Sequence, residues 1–232
     1  DLHSFPTRRS SDLRTFYILD EPTAAAIGAG IDIEGSDAAM IADIGGGTTD
    51  VAIISLGGIV VSTSLRFAGD KISENVIAYI RKKKGVLIGE KTAEELKISV
   101  GCAMVEKDGS GESVIRTVEA RGRDIVSGLP KTFTVDNIDM EVALRESVDT
   151  IVDAIKATVE KAPPEIAADI AEKGMTLSGG GSMIENLDKV VAMRTGMEVN
   201  IAENPYEAVA IGTGKSLENI EKLRAYADIK IR

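Results

Sequence analysis

Asp43-Ile44-Gly45-Gly46-Gly47-Thr48-Thr49-Asp50 is the segment whose residue types are best suited to chemistry. A carboxylate ends an apolar run, and three glycines follow it. Glycines lack a Cβ, so their backbone can approach a phosphate closely, and their N–H groups can form a nest for an anion. Thr48 and Thr49 add hydroxyl donors. Asp43 is placed to hold a magnesium ion through a bound water, because Mg2+ prefers oxygen ligands and keeps several waters. Three glycines alone fit a hairpin without a ligand just as well. The preceding carboxylate and the following threonines turn the reading toward phosphate.

A second glycine turn, Leu177-Ser178-Gly179-Gly180-Gly181-Ser182-Met183, also follows an apolar run. Taken singly it is a tight strand-to-helix turn. Two such turns, each after a buried strand, suggest two walls of one nucleotide cleft. Neither is a P-loop, which needs GxxxxGK[ST], nor a dinucleotide fingerprint. Glu21 stands between a short strand and a helix, where a carboxylate can orient or deprotonate a water attacking a phosphate. The plainer reading of Glu21 is the general preference for acids at a helix N-terminus. Glu94 and Lys97 are three apart on a predicted helix and share a face. They can grip a ribose or an adenine edge, although an exposed ion pair is the commoner meaning of that spacing.

The elements that must position these residues alternate between strand and helix. Residues 15–19 read as a strand, and Pro22 opens a small-residue helix, since proline suits the first helical position. Residues 38–43 form a second strand. Residues 49–56 and 59–67 read as a hairpin joined at Gly57-Gly58. Asp70 is expected to cap a helix carrying Ile72, Val76, Ile77 and Ile80 on one face. Its basic end, Arg81-Lys82-Lys83-Lys84 before Gly85, suits a helix C-terminus better than a membrane patch. Thr92 and Glu95 look like a capping box for the next helix. Residues 113–135 read as strands and turns. A long amphipathic helix is expected over 136–161, with Val142, Ile151, Ile155 and Val159 on its apolar side. Pro163-Pro164 ends it, a short helix follows, and residues 175–178 form a buried strand. A final helix covers about 206–223. This alternation is an α/β pattern.

Composition narrows the function classes. The chain has 232 residues and a formal net charge of -10, a sign that opposes broad binding to nucleic acid or anionic lipid. The sequence has one histidine and one cysteine, which excludes a Ser-His-Asp triad supplied from the main body, a histidine-rich zinc site and an internal disulfide. Cys102 is assigned to packing, as are Met175, Met183 and Met193, with a backbone contact open at Met183. Residues 1–13 are polar and aperiodic and carry no secretory h-region. They read as appended or mis-joined sequence, or as a native flexible terminus.

Together these stretches resemble a known family. DEPTAAAIGAG at 20–30, IADIGGGTTDVAIISLGGIV at 41–60 and the run from RFAGD to KISVG at 66–101 carry the likeness. KAPPEIAADIAEKGMTLSGGGSMIENL at 161–187 and NPYEAVAIGTG at 204–214 complete it. The sequence resembles the actin, DnaK-type chaperone and sugar-kinase ATPase superfamily, and within it the MreB-type bacterial actin homologues. The resemblance implies an α/β, actin-like ATPase fold of ribonuclease H-like lobes, with ATP and Mg2+ bound between them. It divides the chain into a non-matching segment 1–13, the end of an N-terminal lobe with a phosphate turn at 14–66, and a C-terminal lobe at 67–232.

Roles follow residue by residue. Glu21 matches the acid that positions the attacking water, and Asp43 matches the aspartate near the metal and that water. Gly45, Gly46, Gly47 and Thr48 match the second phosphate turn. Glu94, Glu95, Leu96 and Lys97 match the helical segment at ribose and adenine. Gly179, Gly180, Gly181, Ser182 and Met183 match the adenosine turn. The family's first phosphate hairpin, of the DxGT(A/S)N kind, does not precede Glu21, so the chain is read as N-terminally incomplete. The resemblance further implies self-association into filaments, partners in cell-wall synthesis and at the membrane, no nucleic acid, and a cytoplasmic place at the inner membrane face. A DnaK-type chaperone fragment and a structural fragment without nucleotide function are the alternatives.

Overall fold

The computed structural model describes residues 15–218 and 228–231. Its centre is a five-stranded sheet in the order β4-β3-β2-β8-β9. β2 (Ala39–Ile44), β3 (Thr49–Ser55) and β4 (Gly58–Leu65) form an antiparallel meander. β8 (Met175–Ser178) joins the other edge of β2 in parallel, and β9 (Val199–Ile201) joins β8 in parallel. The sheet thus takes three strands from before residue 66 and two from after 174, and it runs across the 66/67 boundary read from the sequence.

Both faces of this sheet are covered, which is why β2 and β3 read as nearly continuous apolar runs rather than alternating ones. Met40, Ala42 and Ile44 of β2, with Val51 and Ile53 of β3, belong to the larger core. That core includes α2 (Gly69–Lys84), α3 (Glu90–Val100), α4 (Asn137–Glu160) and α6 (Leu187–Thr195). Ile41, Ala52 and Ile54 belong to the second core, with Ala25 and Ala26 of α1 (Glu21–Gly28). α1 packs against α7 (Ala208–Glu218) at a glycine crossing. A Cβ on Gly28 would overlap the Ala208 carbonyl, and one on Gly212 would overlap the Ala24 carbonyl. A side sheet of β5 (Val86–Leu87), β6 (Thr117–Asp124) and β7 (Pro130–Asp136) stands apart from the central one. α5 (Pro164–Lys173) leads into β8.

Several local expectations change. The hairpin turns at Leu56-Gly57, not Gly57-Gly58, with φ of 50° and 74° at its two central residues. Asp70 is not the cap of α2: the N-cap position is Ala68, and Asp70 lies in the first turn. The capping box at Thr92 and Glu95 does not form, because α3 already begins at Glu90 after Gly89. Asp136 does cap α4, accepting from the Asp139 N–H at 2.7 Å. Val142 is exposed while Ile151 and Ile155 are buried, so the apolar stripe of α4 is narrower than read. Met183 and Met193 are exposed and are not packing residues, whereas Met175 and Cys102 are buried. Burial pushes the Cys102 thiol up to about 11, which keeps it protonated and unreactive. α7 starts two residues later than expected, and 219–223 lie outside the described residues. β1 (Thr15–Ile18) pairs antiparallel with β10 (Asp228–Ile231), a strand that no sequence signal marked.

Candidate functional site

Three loops leave the C-terminal ends of the parallel strands β2, β8 and β9. In open α/β sheets that edge is where ligands bind. The first loop is the glycine turn after β2. It closes on itself through the Gly45 N–H donating to the Thr48 carbonyl at 2.9 Å. Its own carbonyls are used by α2: Gly69 N–H donates to Gly45 O at 3.1 Å, and Asp70 N–H to Gly46 O at 2.8 Å. The start of α2 therefore needs no side-chain cap, because the turn satisfies two of its orphan donors. The Thr49 hydroxyl donates to Phe67 O at 2.7 Å and closes the same junction. The N–H groups of Gly46, Gly47 and Thr48 make no hydrogen bond among the described residues. The turn is thus anchored by its acceptors and leaves a row of donors for an anion.

Asp43 stands beside this turn, 4% exposed. It faces Asp50 across the antiparallel pair and Ser178 across the parallel one. By the two-residue period of a strand, Asp43 shares a face with Ile41, and Asp50 with Ala52. That is the α1 face, and Glu21 opens α1. Burial raises the Asp43 carboxyl above the ordinary range; the hydroxyl of Ser178 partly offsets this, and the charges of Glu21 and Asp50 add to the rise. Asp43 Oδ1 is buried without a hydrogen-bond partner. None of the three acids takes part in an ion pair among the described residues. Like charges facing each other across strands are destabilising unless a cation joins them. The described residues gather no cluster of three metal-ligating side chains. One or two carboxylates with retained waters is the set that suits Mg2+, so the residues fit that ion held mainly through water.

The helical segment at 94–97 is not the exposed pair that its spacing suggests. Lys97 is only 10% exposed at its side chain, and its ammonium meets Glu94 Oε2 at 2.6 Å. The same ammonium donates to Gly69 O and to Ser73 Oγ, both at 3.2 Å. Ser73 Oγ donates in turn to Glu94 Oε2 at 3.0 Å. Lys97 is thereby fastened to the end of α2 that holds the glycine turn. Glu95 is exposed and pairs loosely with Lys91 at 3.9 Å. Leu96 is buried in the larger core, so its side chain packs and is not presented to a ligand.

In the second glycine turn, the three glycines have different duties. Gly179 has φ +79°, and a Cβ there would overlap the Ile44 carbonyl. A Cβ on Gly181 would overlap the Ile44 side chain. These two glycines let the second turn press against the end of β2, which joins the turns. Gly179 N–H also donates to Pro205 O at 2.8 Å, so it is spent on the third loop. Ser182 is fully buried, and its hydroxyl donates to Gly179 O at 2.7 Å to brace the turn. Gly180 and Met183 are exposed. Asp50, Ser178 and Ser73 belong to this site although the sequence reading gave them no role. Asp50 was legible from its place seven residues after Asp43, whereas Ser178 and Ser73 needed the strand register and the helix contact.

The fold is of the actin-like class of α/β proteins. The chain belongs to the MreB/Mbl family: the model of that family, described as MreB/Mbl protein, matches residues 8–225. It is 48% identical over 207 residues to the cell shape-determining protein Mbl of Bacillus subtilis, covering 89% of this chain and 60% of that one. It is 45% identical over 208 residues to the cell shape-determining protein MreB of Escherichia coli, covering 90% and 58%. MreB5 of Spiroplasma citri bound to ADP superposes with a TM-score of 0.83 at 38% identity, over 89% of this chain and 61% of that one. The MamK double helical filament superposes at 0.68 with 20% identity, over 86% and 59%, which is a likeness of fold alone. The chain therefore spans about three fifths of the length of its relatives.

Proposed function

We propose that this chain is part of a cell-shape-determining, actin-like cytoskeletal protein that binds ATP with Mg2+ and assembles into filaments. One observation carries the reading: three unused N–H donors stand beside a buried, unpartnered Asp43 carboxylate oxygen at the binding edge of the sheet. A magnesium nucleotide supplies both the anion and the cation that this pairing lacks, together with a phosphoanhydride open to attack by water. Gly46, Gly47 and Thr48 donate to phosphate, and Asp43 holds the ion through water. Glu21 orients the attacking water. Glu94 faces the ribose and adenine edge, with the buried Lys97 fastening it to the start of α2, and the turn at 179–183 receives the adenosine.

Family membership supports the cell-shape reading over the DnaK-type chaperone reading, since the relatives are named cell shape-determining proteins. MreB5 relatives bound to ADP and AMPPNP support the nucleotide. By the same membership, filaments lie at the inner membrane face and organise cell-wall synthesis. ATP favours the polymer-competent state by its differential affinity for the two forms. Among the described residues, no helix is long and apolar enough to cross a membrane.

Thermal unfolding with and without saturating Mg-ATP tests the reading. A ligand at about 100 times its dissociation constant stabilises the folded state by about 2.7 kcal/mol. The expected result is a clear rise in melting temperature that Gly180→Val abolishes. A cooperative transition that Mg-ATP leaves in place counts against nucleotide binding by these residues and favours a purely structural fragment.

A further inference from the structure

The carboxylate of Glu94 is held by a residue to which no chemical role has been given. Ser73 lies in the second turn of α2 and is buried, 6% exposed. Its hydroxyl donates to Glu94 Oε2 at 3.0 Å and accepts from the Lys97 ammonium at 3.2 Å. Lys97 meets the same Glu94 Oε2 at 2.6 Å. Both buried donors therefore converge on one carboxylate oxygen. The other oxygen, Oε1, makes no hydrogen bond among the described residues, and the Glu94 side chain is 49% exposed. A glutamate this exposed normally loses rotamer freedom when it takes up a ligand; pinning one oxygen beforehand removes that cost. The junction also reaches the first glycine turn. Gly69 O accepts from Lys97 at 3.2 Å, and Gly69 N–H donates to Gly45 O at 3.1 Å. A single residue thus links the phosphate turn to the group that holds Glu94.

We propose that Ser73 is a positioning residue for sugar recognition: its hydroxyl fixes the Glu94 carboxylate so that Oε1 accepts from a ribose hydroxyl. This rests on the nucleotide reading given above and on the place of Glu94 in it. Ser73 does not touch the ligand. Without its hydroxyl, Lys97 still pairs with Glu94, but a single contact lets the carboxylate turn. The site then loses its preference for a fully hydroxylated sugar and keeps its hold on phosphate.

Equilibrium binding of Mg-ATP and of its 2′-deoxy and 3′-deoxy forms to the whole chain tests the proposal. The preference is read as the affinity for ATP over that for the weaker deoxy form. The wild type is expected to show about ten-fold, the worth of one hydrogen bond to a charged group. Ser73→Ala should lower this to about two-fold, with deoxy-nucleotide affinity unchanged. Ser73→Thr, which keeps the hydroxyl, should keep the preference. In Glu94→Ala, adding Ser73→Ala should change the preference no further, because Ser73 acts only through Glu94. Circular dichroism and the ligand-free melting temperature check folding, which alanine within a helix favours. An unchanged preference in Ser73→Ala overturns the proposal, as does a loss equal for ATP and both deoxy forms, the mark of a merely structural role. Loss of the preference in Ser73→Thr as well also overturns it. A wild type that binds all three nucleotides equally overturns it and leaves the nucleotide reading standing. No Mg-ATP binding in the wild type overturns both.

Discussion

Asp43 concentrates the electrostatic tension of the molecule in one side chain. Its folded state holds a proton more tightly than the unfolded chain does, chiefly because it is buried. The sign then follows from linkage. A raised carboxyl contributes its full stability in acid, below the ordinary carboxylate range, and loses it as pH rises through the folded value. Asp43→Asn is neutral throughout, so it should melt above the wild type at neutral pH, with the gap closing toward about pH 3. The same variant should lose the Mg-ATP stabilisation, since the carboxylate that attracts the ion is gone. Melting curves across pH, with and without Mg-ATP, check both. A variant that is less stable than wild type at pH 7 sinks this account of Asp43. Asp43 and the first turn were legible in sequence because their types and spacing are local. The burial of Lys97 was not, because the i,i+3 spacing of Glu94 and Lys97 is the same in an exposed pair and in one fastened to another helix.

At the scale of elements, the corrections share a cause. Sequence signals for helix starts assume that a side chain supplies the missing acceptors. In α2 the acceptors come from the carbonyls of Gly45 and Gly46, so Asp70 has no capping to do. The β3–β4 hairpin shows the reverse case. Its two central residues both have positive φ, the type I′ geometry in which Asn-Gly is preferred. Leu56 adopts that conformation, 73% exposed, with no apolar burial to offset the backbone cost. Leu56→Asn should therefore stabilise the protein by about 1 kcal/mol. That corresponds to a rise of about 2–4 °C in melting temperature for a chain of this size. Unchanged or lower stability would mean that Leu56 makes a contribution other than its turn geometry.

For the whole molecule, the continuous sheet matters most. β2, β3 and β4 form one sheet with β8 and β9, joined through the β2–β8 pair, although more than a hundred residues separate the two groups. Regions that share one sheet should unfold together. Calorimetric and van't Hoff enthalpies are expected to agree for the transition that melts residues 39–65 and 175–201. Hydrogen exchange should show both groups opening with the same free energy. Separate melting of residues 14–66 would contradict the shared sheet.

The sequence by itself determined the α/β class, the placing of the two glycine turns after strands, and the family resemblance. Each rests on residue types within a short window, where spacing alone constrains the chemistry. Only the tertiary structure decided that the turns touch, through Gly179 and Gly181 against Ile44, and that Asp50 and Ser178 flank Asp43. Only it turned Lys97 inward and Tyr206 outward. The physical reason is that contacts between segments far apart in the chain depend on strand register and helix crossing, and neither is written in local periodicity.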